Sequence, residues 1–257
     1  MKELLLDLAR GAGEIALAHR RRLGELVVDF KAEKDLVTAA DREIEEFLRA
    51  EIQRRHPDHG ILGEEQAERR TRSEYRWVID PIDGTGSFVH GQPFYSISIA
   101  LEKAGEIVAG VVHAPTLGET FCAEKGAGAR LGGAGVRVSS RARLKESMLA
   151  TGFACLRNNQ PRNNLPYLAA LLPRLRDMRR YGSAALDLCF VACGRLEGFW
   201  ELNLNYFDVA AGLHILAEAG GTHSDFRGAR AGLYGELVAS NGLVQREILA
   251  VLASVPA

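Results

Sequence analysis

The stretch Trp77-Val78-Ile79-Asp80-Pro81-Ile82-Asp83-Gly84-Thr85-Gly86-Ser87-Phe88 constrains this chain more than any other. Its apolar run ends in a carboxylate, Pro81 stiffens the exit, a second carboxylate follows three positions on, and Gly84-Thr85 opens a helical pattern. Two carboxylates fixed at a strand end can share hard divalent cations, and the N–H groups of a helix start can receive an anion without a lysine. The same residues also suit a plain Asp-Pro turn with Asp83 as N-cap. The acids elsewhere bear on the choice: Asp41 in Leu36-Val37-Thr38-Ala39-Ala40-Asp41, Glu64 in Ile61-Leu62-Gly63-Glu64-Glu65, and Asp208 in the segment from Glu201 to Gly212.

With 257 residues, 47% of them hydrophobic, the chain can bury a large core as one enzyme-sized domain or two fused lobes. A formal net charge of −1 gives no global pull toward nucleic acid or anionic membrane. The short cluster Arg69-Arg70-Thr71-Arg72 reads as a solvated loop. Charges interrupt the apolar residues from Met1 to Asp7, and no run approaches the roughly 18 apolar residues of a membrane span, so a soluble, cytoplasmic protein is expected. Cys122, Cys155, Cys189 and Cys193 lack the spacing of a zinc site and read as reduced core thiols, and none of the seven histidines reads as a metal ligand.

Periodicity predicts a helix from Lys2 to about Leu23 and a second from Thr38, with Thr38 as N-cap, Asp41 as third residue of the cap, and Ile44, Phe47, Leu48 and Ile52 on the buried face. Asp41 therefore has a purely structural reading as a cap, as does Asp208 at its own helix start. Gly60 to Gly63 reads as a short strand delivering Glu64. Phe94–Leu101, Ile107–His113 and Glu119–Glu124 read as an antiparallel meander, and Gly126 to Gly133 as hairpin turns rather than a dinucleotide loop. From Val138 strands alternate with helices: strands at Met148–Gly152, Met178–Arg180, Phe199–Glu201 and Leu237–Ala239, helices at Asn164–Leu175, Ala184–Cys193, Val209–Ala219 and Val244–Leu252. The layout suggests one domain, residues 1–257, in which an antiparallel α+β lobe to about residue 137 is fused to an α/β lobe over 138–257, with the expected active site between them.

The four acidic segments, in this order, resemble the signatures of the inositol monophosphatase family of Mg²⁺-dependent, lithium-sensitive sugar phosphatases: D-x-V-T-x-x-D, G-E-E, D-P-I/L-D-G-T-x-x-F and W-D-x-A-x-G. The likeness runs from about Leu4 to about Leu249 and implies a layered α-β-α-β-α sandwich. It implies two to three Mg²⁺ ions, the first held by Glu64, Asp80 and the carbonyl of Ile82, the second by Asp80, Asp83 and Asp208, with Glu64 also touching a looser third. Thr85, hydrogen-bonded to Asp41, would relay a proton. Gly84 and Thr85 would offer amides to the phosphate, Asp83 and Ser183 would border the substrate, and Glu201, seven residues before Asp208, would bind a substrate hydroxyl. The family's mobile loop would fall on Lys31 to Asp35, with Lys31 or Lys34 in its lysine role. Gly86-Ser87, Asn205 and Phe207 depart from the usual residues and bear on substrate choice, leaving the metal ligands intact.

By the same resemblance the substrate is a small polyol or sugar phosphate, most simply inositol 1-phosphate, and the protein is a homodimer. Fructose 1,6-bisphosphatase, histidinol phosphatase and nucleotide 3′-phosphatase relatives share the metal motifs and stand as alternatives. Another class is a regulatory protein bound to the transcription machinery. Neither membrane nor direct nucleic-acid binding is expected.

Overall fold

A computed structural model describes residues 1–25, 28–32, 35–229 and 235–255. The first helix, α1 (Lys2–Arg20), buries Leu5, Leu8, Ala12 and Ala16 on one stripe and stops three residues before the expected end, where Arg21 and Arg22 are exposed. Strands β1 (Val28–Ala32) and β2 (Asp35–Thr38) pair antiparallel with Phe30 opposite Leu36. A charged loop was expected there, but the β-branched and aromatic residues flanking the charges pair as strands. The side chains of Lys31 and Lys34 lie outside the described residues.

Helix α2 (Ala39–Arg55) leads into β3 (Gly60–Gly63), and a loop returns the chain to β4 (Tyr75–Asp83), which pairs with β3 in parallel. After the single-turn helix α3 (Thr85–Val89) the expected meander follows in β5 (Ser96–Lys103), β6 (Glu106–Ala114), β7 (Glu119–Glu124), β8 (Ala129–Leu131) and β9 (Ala134–Gly135). All its neighbours are antiparallel, and β3 to β9 form one seven-stranded sheet in sequence order. The glycines read as turns take that role, with φ of 75° at Gly126 and 90° at Gly133.

The second half comprises β10 (Met148–Thr151), α4 (Ala154–Arg157), α5 (Leu165–Leu171), β11 (Asp177–Arg179), α6 (Ala184–Ala192), β12 (Gly198–Leu202), α7 (Tyr206–Glu218), β13 (Thr222–Ser224), β14 (Glu236–Ser240) and α8 (Gln245–Ala253). Its five-stranded sheet runs β11-β10-β12-β14-β13. The first three strands are parallel, as an α/β pattern requires, whereas β14 is antiparallel to both β12 and β13. The sheet is therefore mixed. The helix expected over Asn164–Leu175 is shorter because Pro173 supplies no N–H to the ladder, and a 3₁₀ turn over Leu172–Arg174 ends it.

Five layers result. One apolar cluster joins α1 and α2 to the outer face of the seven-stranded sheet through Leu8, Ile44, Trp77 and Ile99. A second joins the inner faces of both sheets through α6 and α7, with Phe121 from one and Phe199 from the other. A third packs α5 and α8 on the far side through Tyr167, Trp200 and Ile248. Every residue of α6 is buried, as befits a helix between two sheets. Among the described residues no helix is long and apolar enough to cross a membrane.

Candidate functional site

In a regular strand residues three apart face opposite sides of the sheet, so Asp80 and Asp83 could not share a site. A bulge resolves this. Asp80 is opposite Ser98 and Asp83 opposite Ser96, three residues against two, and the extra residue returns both carboxylates to one side. Pro81 has no ladder N–H to lose at such a place. Gly84 then takes φ 96°, and a Cβ there would stand 3.0 Å from the Gly182 carbonyl and 3.1 Å from that of Phe94. Only glycine passes between the two halves of the molecule at that point.

Asp41 closes the capping box that starts α2, its Oδ2 accepting the Thr38 N–H at 2.8 Å. Its Oδ1 faces Thr85, whose hydroxyl lies 3.3 Å away and 3.1 Å from the Ile82 carbonyl. One hydroxyl hydrogen serves one of these acceptors at a time. The cap and the contact with Thr85 thus use different oxygens of one buried carboxylate.

Glu64 follows β3, and the residue that orders its loop is Glu45, which the sequence reading did not single out. Glu45 is 0% exposed. It accepts the N–H groups of Glu65 at 2.7 Å and Gln66 at 3.0 Å and the Nε of Arg49 at 2.8 Å. Arg49 in turn donates to the Gln66 carbonyl at 3.1 Å, and Gly63 leaves room where a Cβ would strike the Glu45 carboxylate. The available signal was spacing: Glu45 and Arg49 stand four and eight residues from Asp41, on the helix face that Asp41 shares with the core.

From the second half, Ser183 caps α6 and donates to Asp83 Oδ2 at 2.7 Å, and the Ala185 N–H meets the same oxygen at 2.7 Å. Ser96 bonds Ser183 across the lobes at 3.0 Å. Helix α7 begins three residues earlier than expected, which puts Asp208 inside its first turn, where Oδ2 accepts the Asn205 N–H at 2.7 Å. Glu201, on β12, accepts the Ala154 N–H at 3.0 Å from α4, a helix the sequence reading missed. Helix α4 also carries Arg157, which with Arg180 lines the cleft.

Glu64, Asp80, Ile82, Asp83, Gly84, Thr85 and Asp208 line one side of this cleft, and Ser183, Asp187 and Glu201 the other, with Asp83, Glu64 and Asp208 common to both. Asp80 is 1% exposed and its Oδ1 meets no donor. Burial and then the charges of Glu64, Asp83 and Asp208 hold its carboxyl well above the usual range. Burial likewise raises Asp83 to about 6, against the hydrogen bonds of Ser183, Ala185 and Ala184. Asp208, one edge open to the cleft, is pushed up by burial and by Asp83. Burial lifts Glu201 to about 7, against the Ala154 N–H. Crowded, desolvated acids of this kind bind protons unless cations replace them. An all-oxygen set with an orphaned buried oxygen fits Mg²⁺ in chemistry. Among the described residues no three His, Cys, Asp or Glu side chains are already gathered as a ligand set.

A family model described as the inositol monophosphatase family matches residues 1–256. The chain belongs to that family. As a member it is a phosphoric monoester hydrolase. It is 39% identical over 251 residues to an inositol-1-monophosphatase of Mesorhizobium japonicum, covering 96% of this chain and 94% of that one. It is 41% identical over 248 residues to the Nus factor SuhB of Pseudomonas aeruginosa, covering 94% and 91%. Among solved structures, the extragenic suppressor protein suhB from Bartonella henselae superposes with a TM-score of 0.94 at 36% identity over 98% of each chain. The five-layer sandwich expected by resemblance is the fold of these relatives.

Proposed function

We propose that the chain, acting as one catalytic unit, hydrolyses the phosphate monoester of a small polyol, most simply inositol 1-phosphate, with Mg²⁺ as cofactor. The observation that carries this is the unpartnered Oδ1 of Asp80, buried beside Glu64, Asp83 and Asp208. Glu64, Asp80 and the Ile82 carbonyl would hold one ion, and Asp80, Asp83 and Asp208 a second, with Glu64 also bordering a third. Bound there, such ions would lower the pKa of a water and neutralise the ester's charge.

The protein's own groups do the rest. Thr85, placed between the cleft and Asp41, would take a proton from the attacking water while passing its own to Asp41 Oδ1, which requires the 3.3 Å contact to tighten. Gly84 and Thr85 line the cleft, and their amides would serve phosphoryl oxygens. Ser183 and Ala185 orient Asp83, and Glu201 offers an acceptor to a hydroxyl of the alcohol that leaves. Initial rates on a panel of phosphate monoesters, with and without Mg²⁺, test the proposal: fastest turnover on an inositol phosphate supports it, and a bisphosphate, histidinol phosphate or nucleotide 3′-phosphate at the head would replace the substrate. We further propose inhibition by Li⁺, a homodimer and a cytoplasmic location, on family grounds. A second reading, a protein of the transcription machinery, is favoured by the relative named Nus factor SuhB. Pull-down without substrate, set against the panel, separates the two.

A further inference from the structure

Helix α6 is apolar along its length except at Asp187, one turn in from Ser183. Asp187 is 1% exposed, lines the cleft beside Glu201 and Arg180, and its Oδ1 meets no hydrogen-bond donor. Its neighbours differ: Asp83 has Ser183 and Ala185, and Glu201 has the Ala154 N–H. A carboxylate oxygen is not buried without a donor unless something outside the resting protein supplies one or the cost is borne. A cation is a poor candidate, because Arg157 and Arg180 line the same part of the cleft and oppose it. Neutral hydroxyls are the donors that fit. Asp187 and Glu201 both line this part of the cleft, so two carboxyl groups border one space.

We propose that Asp187 is a specificity-determining residue that, with Glu201, accepts hydrogen bonds from two hydroxyls of the leaving alcohol. The cleft then favours phosphate esters of polyols with neighbouring hydroxyls over esters that lack them. The inference rests on the phosphatase reading above and narrows its substrate class. A site built to bond a hydroxyl rejects the analogue without it, because its own buried polar groups are left unpaired.

The test compares kcat/KM for myo-inositol 1-phosphate and p-nitrophenyl phosphate in wild type, Asp187→Ala and Asp187→Asn. Asp187→Ala should lose roughly 10- to 100-fold more on the inositol ester than on the aryl ester, the range of one buried hydroxyl left without its partner. Asp187→Asn, which keeps one acceptor and the shape, should recover part of that difference, and it carries the test alone should the alanine variant not fold. Equal losses on both esters would overturn the proposal. So would restoration of both rates by adding Arg180→Gln to Asp187→Ala, since Asp187 would then be the counter-charge of Arg180. A wild-type protein that hydrolyses neither ester would sink the phosphatase reading instead.

Discussion

Helices α2 and α7 begin with the same device, an aspartate at the third position folded back onto the N–H of the capping residue, at 2.8 Å in Asp41 and 2.7 Å in Asp208. Their surroundings set them apart. Asp41 is fully buried, also takes the Thr38 hydroxyl, and turns its other oxygen to Thr85. Asp208 opens on the cleft, where Asp83, Glu64 and Glu201 all oppose its charge. Local sequence thus places a carboxylate, while its neighbours decide whether it holds a hydroxyl or requires a cation. The account assigns Asp41 to proton relay and Asp208 to metal binding, and that difference can be broken experimentally.

The largest effect is expected at Asp208. Asp208→Asn should remove turnover by 10³-fold or more, on the scale of a lost charge-stabilising group, while the metal-free protein keeps or gains thermal stability because one acid of the crowded cluster is gone. A clear loss of thermal midpoint with near-normal activity would make Asp208 a cap only. Asp41→Asn and Thr85→Ala should each lower kcat by roughly 10²–10⁴ with little change in KM, and the double variant should be scarcely worse than either single one. If Asp41 merely caps α2, its substitution costs about 1 kcal/mol of stability and leaves kcat nearly intact.

Glu45→Gln comes next. It disturbs the two amides that order the loop after Glu64, and the Mg²⁺ concentration for half-maximal rate should rise about 10- to 100-fold, as for other residues that orient a metal ligand. An unchanged Mg²⁺ dependence would reduce Glu45 to a fold element.

Much of the site could be read in advance because it is written locally. Asp80, Pro81, Asp83 and Gly84 lie within one bulged strand and turn, and Thr38 with Asp41 is a cap signature of four residues. Glu45 and Asp187 were not legible, since each gains its meaning from another segment of the chain: the loop at Glu65 for Glu45 and the cleft wall of β12 for Asp187. The mixed order of the second sheet escaped for a related reason, as β13 and β14 are short and nothing in their residues states the direction in which they pair.

A smaller effect concerns pH. In the folded metal-free protein Asp83 binds its proton up to about 6 and Glu201 up to about 7, above their unfolded values. The native state then holds more protons than the unfolded one, so stability falls as pH rises from about 4 through these values. In chelator the thermal midpoint should drop between pH 5 and pH 8, and Mg²⁺ should raise it more at pH 8 than at pH 5. A midpoint that climbs with pH in chelator would contradict the crowding of acids. The smallest effect is at the caps themselves, where Thr38→Ala should cost about 1 kcal/mol by chemical denaturation.

The contrast between the two capped aspartates is tested most directly by titrating Mg²⁺ into wild type, Asp41→Asn and Asp208→Asn in a calorimeter, without substrate. The account predicts that Asp41→Asn binds Mg²⁺ as the wild type does, whereas Asp208→Asn loses a bound ion. Equal loss of Mg²⁺ binding in both variants, or full retention in Asp208→Asn, would contradict it.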